Sequence, residues 1–160
     1  MEEIAKHIGT YLALGVPSHL IVYGSRGSGK TVSILTLMDS FKRLENAQYF
    51  YINVRDLPTS YKIYQKIAEV GKIGFSMSDL RREALKRLGD RTLLVLDEVD
   101  FLNDDDVLYH VSRSTKASMI LMTQKVYWYK GIDESIKSSL QPIPIIFQDY
   151  NAEEMYSILR

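Results

Sequence analysis

Residues 24–31, with the sequence GSRGSGKT, constrain the fold of this chain more than any other stretch. Glycines at this spacing, followed by Lys and then Ser or Thr, are typical of a loop that wraps its backbone N–H groups around a phosphate. An apolar run at residues 20–23 precedes the loop, and apolar residues at helical spacing follow it. In a strand, loop and helix of this order, the positive end of the helix dipole faces the anion. The stretch therefore predicts a site for nucleotide phosphates.

In this interpretation Lys30 reaches the β- and γ-phosphates, and the hydroxyl of Thr31 binds Mg²⁺. The alternative is a glycine-rich turn that binds nothing. The complete pattern, placed between a strand and a helix, favours binding of ATP or ADP together with Mg²⁺. The other predicted nucleotide-binding residues of the loop are Gly24, Ser25, Arg26, Gly27, Ser28 and Gly29.

Apolar, aromatic and β-branched runs predict five strands, which alternate along the chain with stretches of helical period. Because hairpin turns are missing between the runs, we expect a parallel sheet covered by helices on both faces, a three-layer α/β fold. Ligands of such sheets bind at the carboxyl ends of the strands. The predicted strands are residues 20–23, 48–54, 92–96, 118–122 and 144–147. Helices are predicted at 4–14, at 105–111 and after residues 30, 59 and 76, and a short helix or turn is predicted at 133–139.

Acidic and amide side chains follow two of these strands. We expect Asp97 to bind Mg²⁺ and Glu98 to orient and deprotonate an attacking water. Gln124 has two interpretations: its amide bonds the γ-phosphate and the attacking water, or it is a polar strand-end residue without a task. Asp100 is expected at a helix start or on the surface. None of the histidines, His7, His19 and His110, has the spacing of a metal ligand.

The 160 residues, 46% of them hydrophobic, suit one compact domain. Twenty basic residues balance 20 acidic ones, so no overall field draws the chain to nucleic acid or to a membrane. Cysteine is missing, which excludes disulfides and thiolate metal sites. The N-terminal residues have neither the basic start nor the apolar core of a secretion signal. We expect a soluble cytoplasmic protein.

Two surface features leave alternatives open. The bases Arg81, Arg82, Lys86 and Arg87 share one predicted helix, where they form either a solvated face or a local patch for the phosphates of duplex DNA. Residues 127–129 are aromatic; they either stack on bases or cover an edge of the core, and the second interpretation is favoured.

Through its phosphate loop, its Asp-Glu pair and two further sequence boxes, the chain resembles an AAA+ ATPase. More narrowly, it resembles the archaeal replication initiators related to origin-recognition-complex subunit one and the cell-division-control helicase loader. The phosphate loop and the Asp-Glu pair occur in many P-loop ATPases. The Asn-x-Arg-Asp-Leu-x-Thr and Lys-Ser-Ser-Leu boxes are more specific. The segments that carry the resemblance are residues 21–31, 51–61, 96–102, 107–109 and 137–154.

The resemblance implies a five-stranded parallel sheet with the phosphate-loop strand near its centre. It places Gln124 at the polar sensor position, where the family typically has Asn, and Ser139 where related loaders have an arginine finger. Residues 4–8 are placed beside the adenine, and 71–78 in a DNA-touching insertion. The domains implied are a nucleotide-binding core at residues 1–150 and the first helix of a truncated lid at residues 151–160.

The function implied is a slowly hydrolysing ATPase module of a replication initiator, whose nucleotide state controls DNA binding and helicase loading. Origin duplex DNA is then bound mainly through domains absent from this chain, and a helicase or other AAA+ subunits are further partners. The alternative is a different P-loop ATPase, a regulator of transposition or signalling that does not act at origins.

Overall fold

The computed structural model describes residues 2–25, 29–70 and 74–147. In these ranges five strands form one parallel sheet in the order β2-β3-β4-β1-β5. The strand that leads into the phosphate loop, β1, has neighbours on both sides and lies one place from the central strand, β4. The strands are β1 (Leu20–Tyr23), β2 (Gln48–Asn53), β3 (Thr92–Asp97), β4 (Ser118–Thr123) and β5 (Ile143–Ile146).

Helices connect the strands and cover both faces of the sheet, as the alternating pattern predicted. A short 3₁₀ turn, Val99–Phe101, follows β3, and a second one, Tyr129–Gly131, precedes the last helix. The α-helices are α1 (Glu2–Leu14), α2 (Lys30–Leu44), α3 (Ser60–Ala68), α4 (Met77–Arg87), α5 (Asp106–Ser114) and α6 (Glu134–Leu140). The predicted lid helix at 151–160 lies outside the described residues.

Successive side chains of each strand point to opposite faces of the sheet, so the core consists of two layers. Leu20 and Val22 of β1 point to the layer of α1 and α2, where Ile34 and Met38 of α2 are fully buried. Ile21 and Tyr23 point to the opposite layer, which α3 to α6 cover. A sheet buried on both faces needs near-continuous apolar strands, and every residue of β1, β3 and β4 is buried.

Side-chain caps set the start of three of the described helices, and two of these helices begin where they were predicted, after residues 59 and 76. The hydroxyl of Thr59 accepts a hydrogen bond from the N–H of Lys62 and begins α3. The hydroxyl of Ser76 accepts one from the N–H of Asp79 and begins α4. Each cap satisfies a backbone donor that has no partner inside its helix.

Candidate nucleotide-binding site

A pocket of about 140 Å³ lies at the carboxyl ends of β3 and β4, beside the N-terminus of α2. Parallel strands end at the same edge of a sheet, so residues far apart in sequence meet there. The pocket brings together all five side chains for which the sequence predicted chemistry, and adds three others. Its lining is Lys30, Thr31, Asp97, Glu98, Asp100, Phe101, Thr123 and Gln124.

The phosphate loop is described on both sides of residues 26–28, so the predicted contacts of Arg26, Gly27 and Ser28 lie outside the described residues. Before the gap, the N–H of Gly24 donates to the carbonyl of Thr123 at 3.2 Å, which ties the loop to the end of β4. After it, Gly29 precedes α2 with a φ of 82°, a conformation that side chains other than glycine disfavour. Lys30 is the first residue of the helix, where N–H groups lack partners and attract anions.

The carboxylate of Asp97 lies at the centre of the site. Its Oδ2 accepts hydrogen bonds from the hydroxyl of Thr31 at 2.7 Å and from the hydroxyl of Tyr51 at 2.6 Å. Its Oδ1 accepts one from the N–H of Glu98 at 2.9 Å. The residue is only 2% exposed, and such burial of a charge requires partners of this kind. Asp97 therefore links the phosphate-loop helix α2 to the end of β3.

Glu98 has a left-handed backbone, with a φ of 52° and a ψ of 46°. Residues other than glycine adopt this region at a cost of about 1–3 kcal/mol, and such residues cluster at functional sites. The Nε of Arg55 lies 3.7 Å from Oε2 of Glu98, close enough for an ion pair and too far for a hydrogen bond. The guanidinium of Arg55 also stacks over the ring of Phe101, 4.9 Å from its centroid. The strained turn aims Glu98 into the pocket beside a cation.

Asp100 lies in the first turn of the 3₁₀ helix, but the prediction of a surface acid is wrong. Its side chain is 4% exposed, and its Oδ1 accepts a hydrogen bond from the hydroxyl of Thr123 at 2.8 Å. Its Oδ2 is buried without a hydrogen bond, and Nζ of Lys125 lies 3.9 Å from it. The turn after β3 points this side chain inward because Val99 anchors the turn in the core.

Four residues of the site had no role assigned from the sequence: Tyr51, Arg55, Phe101 and Thr123. Arg55, Phe101 and Thr123 lie at the end of a strand or in the turn that follows it, as the predicted residues do, whereas Tyr51 lies two residues before the end of β2. Their contacts depend on which strands are neighbours, since β2 beside β3 brings Asn53 level with Asp97. These contacts could not be predicted, because a single sequence does not give the order of the strands in the sheet.

Every base of the predicted patch on α4 has an acidic partner. Arg81 forms a two-pronged pair with Asp106 at 2.8 and 3.0 Å. Burial raises the pKa of Asp106, but hydrogen bonds from Arg81 and Tyr64 outweigh it and hold this pKa below its usual value. The other pairs are Arg82 with Asp79, Lys86 with Glu83 and Arg87 with Glu69. Arg81 thus serves packing between α4 and α5, and the rest of the patch is neutralised.

The aromatic stretch at 127–129 is divided between core and surface. Trp128 and Tyr129 are partly buried against the core, which agrees with the favoured interpretation that they cover its edge. Tyr127 is 62% exposed, and Nζ of Lys130 lies over its ring.

His19, for which the sequence predicted no metal-binding role, is buried just before β1, and its Nδ1 accepts a hydrogen bond from the N–H of Met119 at 3.0 Å.

Fold and pocket together define a P-loop nucleotide-binding domain, and comparison with known proteins gives the family. The AAA domain family matches residues 15–127, so the chain belongs to that family. Similar curated proteins include the ORC1-type DNA replication protein of Desulfurococcus amylolyticus, 31% identical over 100% of this chain and 46% of the relative. Another is ORC1-type DNA replication protein 1 of Sulfurisphaera tokodaii, 33% identical over 90% of this chain and 41% of the relative.

Solved structures of similar fold include the Aeropyrum pernix Orc1 protein in complex with DNA. Its TM-score is 0.72 at 26% identity, covering 99% of this chain and 47% of that one. Cdc6p from Pyrobaculum aerophilum has a TM-score of 0.75 at 20% identity, over 99% of this chain and 48% of that one, and shows likeness of fold. The chain spans less than half the length of these relatives. Across the described ranges, none of the helices has the length and apolar character needed to cross a membrane.

Proposed function

We propose that the chain is the ATP-binding and slowly hydrolysing module of a DNA replication initiator, in which the bound nucleotide controls DNA binding and helicase loading. The observation that carries the nucleotide site is the hydrogen bond of 2.7 Å between Thr31 and Asp97, which joins the phosphate loop to the end of β3. The names of the similar curated proteins favour replication over a transposition or signalling ATPase. The proposal takes residues 1–150 as the core and 151–160 as the first helix of a lid.

The lining of the pocket suits Mg²⁺. This ion prefers oxygen ligands and is commonly bound by one or two protein oxygens together with substrate phosphates. The hydroxyl of Thr31 and the carboxylate of Asp97 supply such oxygens at the mouth of the phosphate loop. A cluster of three or more His, Cys, Asp or Glu side chains is not found among the described residues, and a site shared with phosphates does not need one. When bound, Mg²⁺ neutralises charge on the β- and γ-phosphates.

The remaining roles follow from position in the pocket. Lys30 extends from the first turn of α2 and binds the β- and γ-phosphates, while Gln124 at the end of β4 orients the γ-phosphate and the attacking water. Glu98 is the general base. Its ion pair with Arg55 competes with a water for the same carboxylate, which is consistent with slow turnover.

Duplex DNA is bound mainly outside the described residues in this proposal. The formal net charge of the chain is zero, and the bases of α4 are paired with acids, so neither an overall field nor an unpaired basic face on α4 attracts DNA phosphates. The solved Aeropyrum pernix structure is a complex of Orc1 with DNA, and this chain covers 47% of that protein. A helicase and other AAA+ subunits are the further partners proposed.

Replacement of Lys30 by Ala tests the nucleotide site. The change removes charge-assisted hydrogen bonds worth about 1.5–3 kcal/mol, so affinity for fluorescent ADP and ATP falls about 10- to 100-fold. Lys42→Ala, in the exposed last turn of the same helix, is the matched control and keeps parental affinity. Unchanged affinity in Lys30→Ala contradicts the assignment. Chromatography of nucleotide released from the purified protein gives an independent check, with retained ADP expected.

A further inference from the structure

The hydroxyl of Tyr51 makes a contact that the roles above do not use. It donates to Oδ2 of Asp97 at 2.6 Å, the shortest of the three hydrogen bonds that this carboxylate accepts. Tyr51 is not among the residues that line the pocket. It therefore contacts Asp97 without forming part of the pocket wall.

The sheet and α2 hold the tyrosine in place. The edge strand β2 pairs with β3 so that Asn53 is level with Asp97, and Tyr51 lies two residues earlier on β2. Its ring is partly buried and packs against the core layer of α1 and α2. Burial, and then the hydrogen bond to Asp97, raise the pKa of Tyr51. A tyrosine hydroxyl is protonated at neutral pH and can donate this hydrogen bond.

We propose that Tyr51 is a positioning residue, which holds the Asp97 carboxylate in the orientation that Mg²⁺ and nucleotide require; this inference rests on the proposed function. The torsion that rotates a carboxylate is soft, so a single donor leaves its plane poorly defined. Here the two oxygens are held from three directions, by Thr31 of α2, Tyr51 of β2 and the N–H of Glu98. Thr31 is itself a predicted Mg²⁺ ligand, whereas Tyr51 donates to Asp97 and has no predicted ligand role of its own.

The competing explanation is that Tyr51 only satisfies its own hydroxyl while filling the core. Tyr49 provides the comparison, because it lies on the same strand and face and packs against the same core layer. Its hydroxyl also donates to a carboxylate at 2.6 Å, that of Asp39 on α2, which does not line the pocket. Tyr49 therefore resembles Tyr51 in strand, face and type of hydrogen bond, although its hydrogen bond is more exposed, and it differs in the carboxylate it contacts.

The test compares Tyr51→Phe with Tyr49→Phe and the parent, each keeping the aromatic ring. Fluorescent ADP is titrated in EDTA, and MgCl₂ is then titrated into the protein with ADP. Loss of an outer hydrogen bond to a metal ligand typically lowers metal affinity about 10- to 100-fold. We expect the Mg²⁺ concentration that gives half of the change in ADP fluorescence to rise by about this factor in Tyr51→Phe. ADP affinity in EDTA stays parental in all three proteins, and Tyr49→Phe keeps the parental Mg²⁺ dependence.

Three results overturn the inference about Tyr51 and leave the proposed function standing. Parental Mg²⁺ dependence in Tyr51→Phe shows that the hydroxyl does not position Asp97. Equal losses in Tyr49→Phe and Tyr51→Phe, or a loss of ADP affinity in EDTA, assign the tyrosine to packing. Failure of the parent to bind ADP in any condition is a different result, because it overturns the proposed function and this inference together.

Discussion

His19 provides a test of the fold by pH. The residue is 7% exposed, and its Nδ1 accepts a hydrogen bond from the N–H of Met119 at the start of β4. Burial lowers the pKa of His19 from 6.5 to about 4. Protonation of the ring in the folded state would break the hydrogen bond to Met119 and place a charge in the core. Protonation of His19 is therefore disfavoured in the folded state.

The size of the effect follows from the two pKa values. As pH falls below 6.5 the unfolded chain binds a proton at this histidine, and the folded chain does not until pH approaches 4. The contribution of the neutral His19 to the free energy of unfolding is therefore complete above pH 6.5 and is lost progressively as the pH falls to 4. Each pH unit in this window removes about 1.4 kcal/mol, so a change from pH 7 to pH 5 removes about 2 kcal/mol.

Urea unfolding of the parent and of His19→Asn between pH 7 and pH 5 measures this loss. The Asn side-chain oxygen can accept the hydrogen bond from Met119 and does not titrate. We expect the parent to lose about 2 kcal/mol more than the variant over this range. Asp106 has a lowered pKa, so its own loss of stability falls at lower pH. Parallel pH profiles for the two proteins would refute the reasoning.

Three further predictions concern catalysis, packing and DNA. Glu98→Gln keeps parental affinity for fluorescent ADP and slows single-turnover ATP hydrolysis about 10²- to 10⁴-fold, because the general base is lost; an unchanged rate assigns the base elsewhere. Arg81→Ala lowers the free energy of unfolding by about 2 kcal/mol, because Asp106 loses a two-pronged partner. Arg82→Ala, whose side chain is 61% exposed, changes it by less than about 0.5 kcal/mol, and equal losses in urea unfolding contradict the contrast. The chain binds duplex DNA with a Kd of about 10⁻⁴–10⁻⁶ M at physiological salt and without sequence preference, since its formal net charge is zero and the bases of α4 are paired with acids. A salt titration with origin and scrambled duplexes checks this, and tight, salt-resistant, selective binding contradicts it.

The order of elements could be predicted because each carries a strong local pattern. Residues 20–23 are apolar and short, and the strand occupies those residues in the structure. Thr59 and Ser76 mark helix starts by their own side-chain chemistry. The meeting of Thr31 with Asp97 also follows from sequence, since the carboxyl ends of parallel strands share one edge of the sheet.

Side-chain partners across elements could not be predicted. The partner of Arg81 could not be predicted from α4 alone, because Asp106 lies 25 residues further on, in α5. For Asp100 the predicted helix start is correct, but a surface position is wrong, although an acidic residue in a turn is usually solvated. Both cases have the same cause: packing between elements decides whether a charged side chain contacts water or a partner, and the local sequence pattern carries no information about it.

Thr123 shows how such packing shapes the site. Its carbonyl accepts the N–H of Gly24, while its hydroxyl donates to Asp100 and accepts the N–H of Lys125 at 3.0 Å. One buried residue thus joins the phosphate loop, the turn after β3 and the turn after β4. Gln124 lies between Thr123 and Lys125, so the backbone on both sides of it is held by this hydroxyl. The proposed placement of the Gln124 amide at the phosphates therefore depends on Thr123 and Asp100, and displacement of either strand end breaks hydrogen bonds at the other.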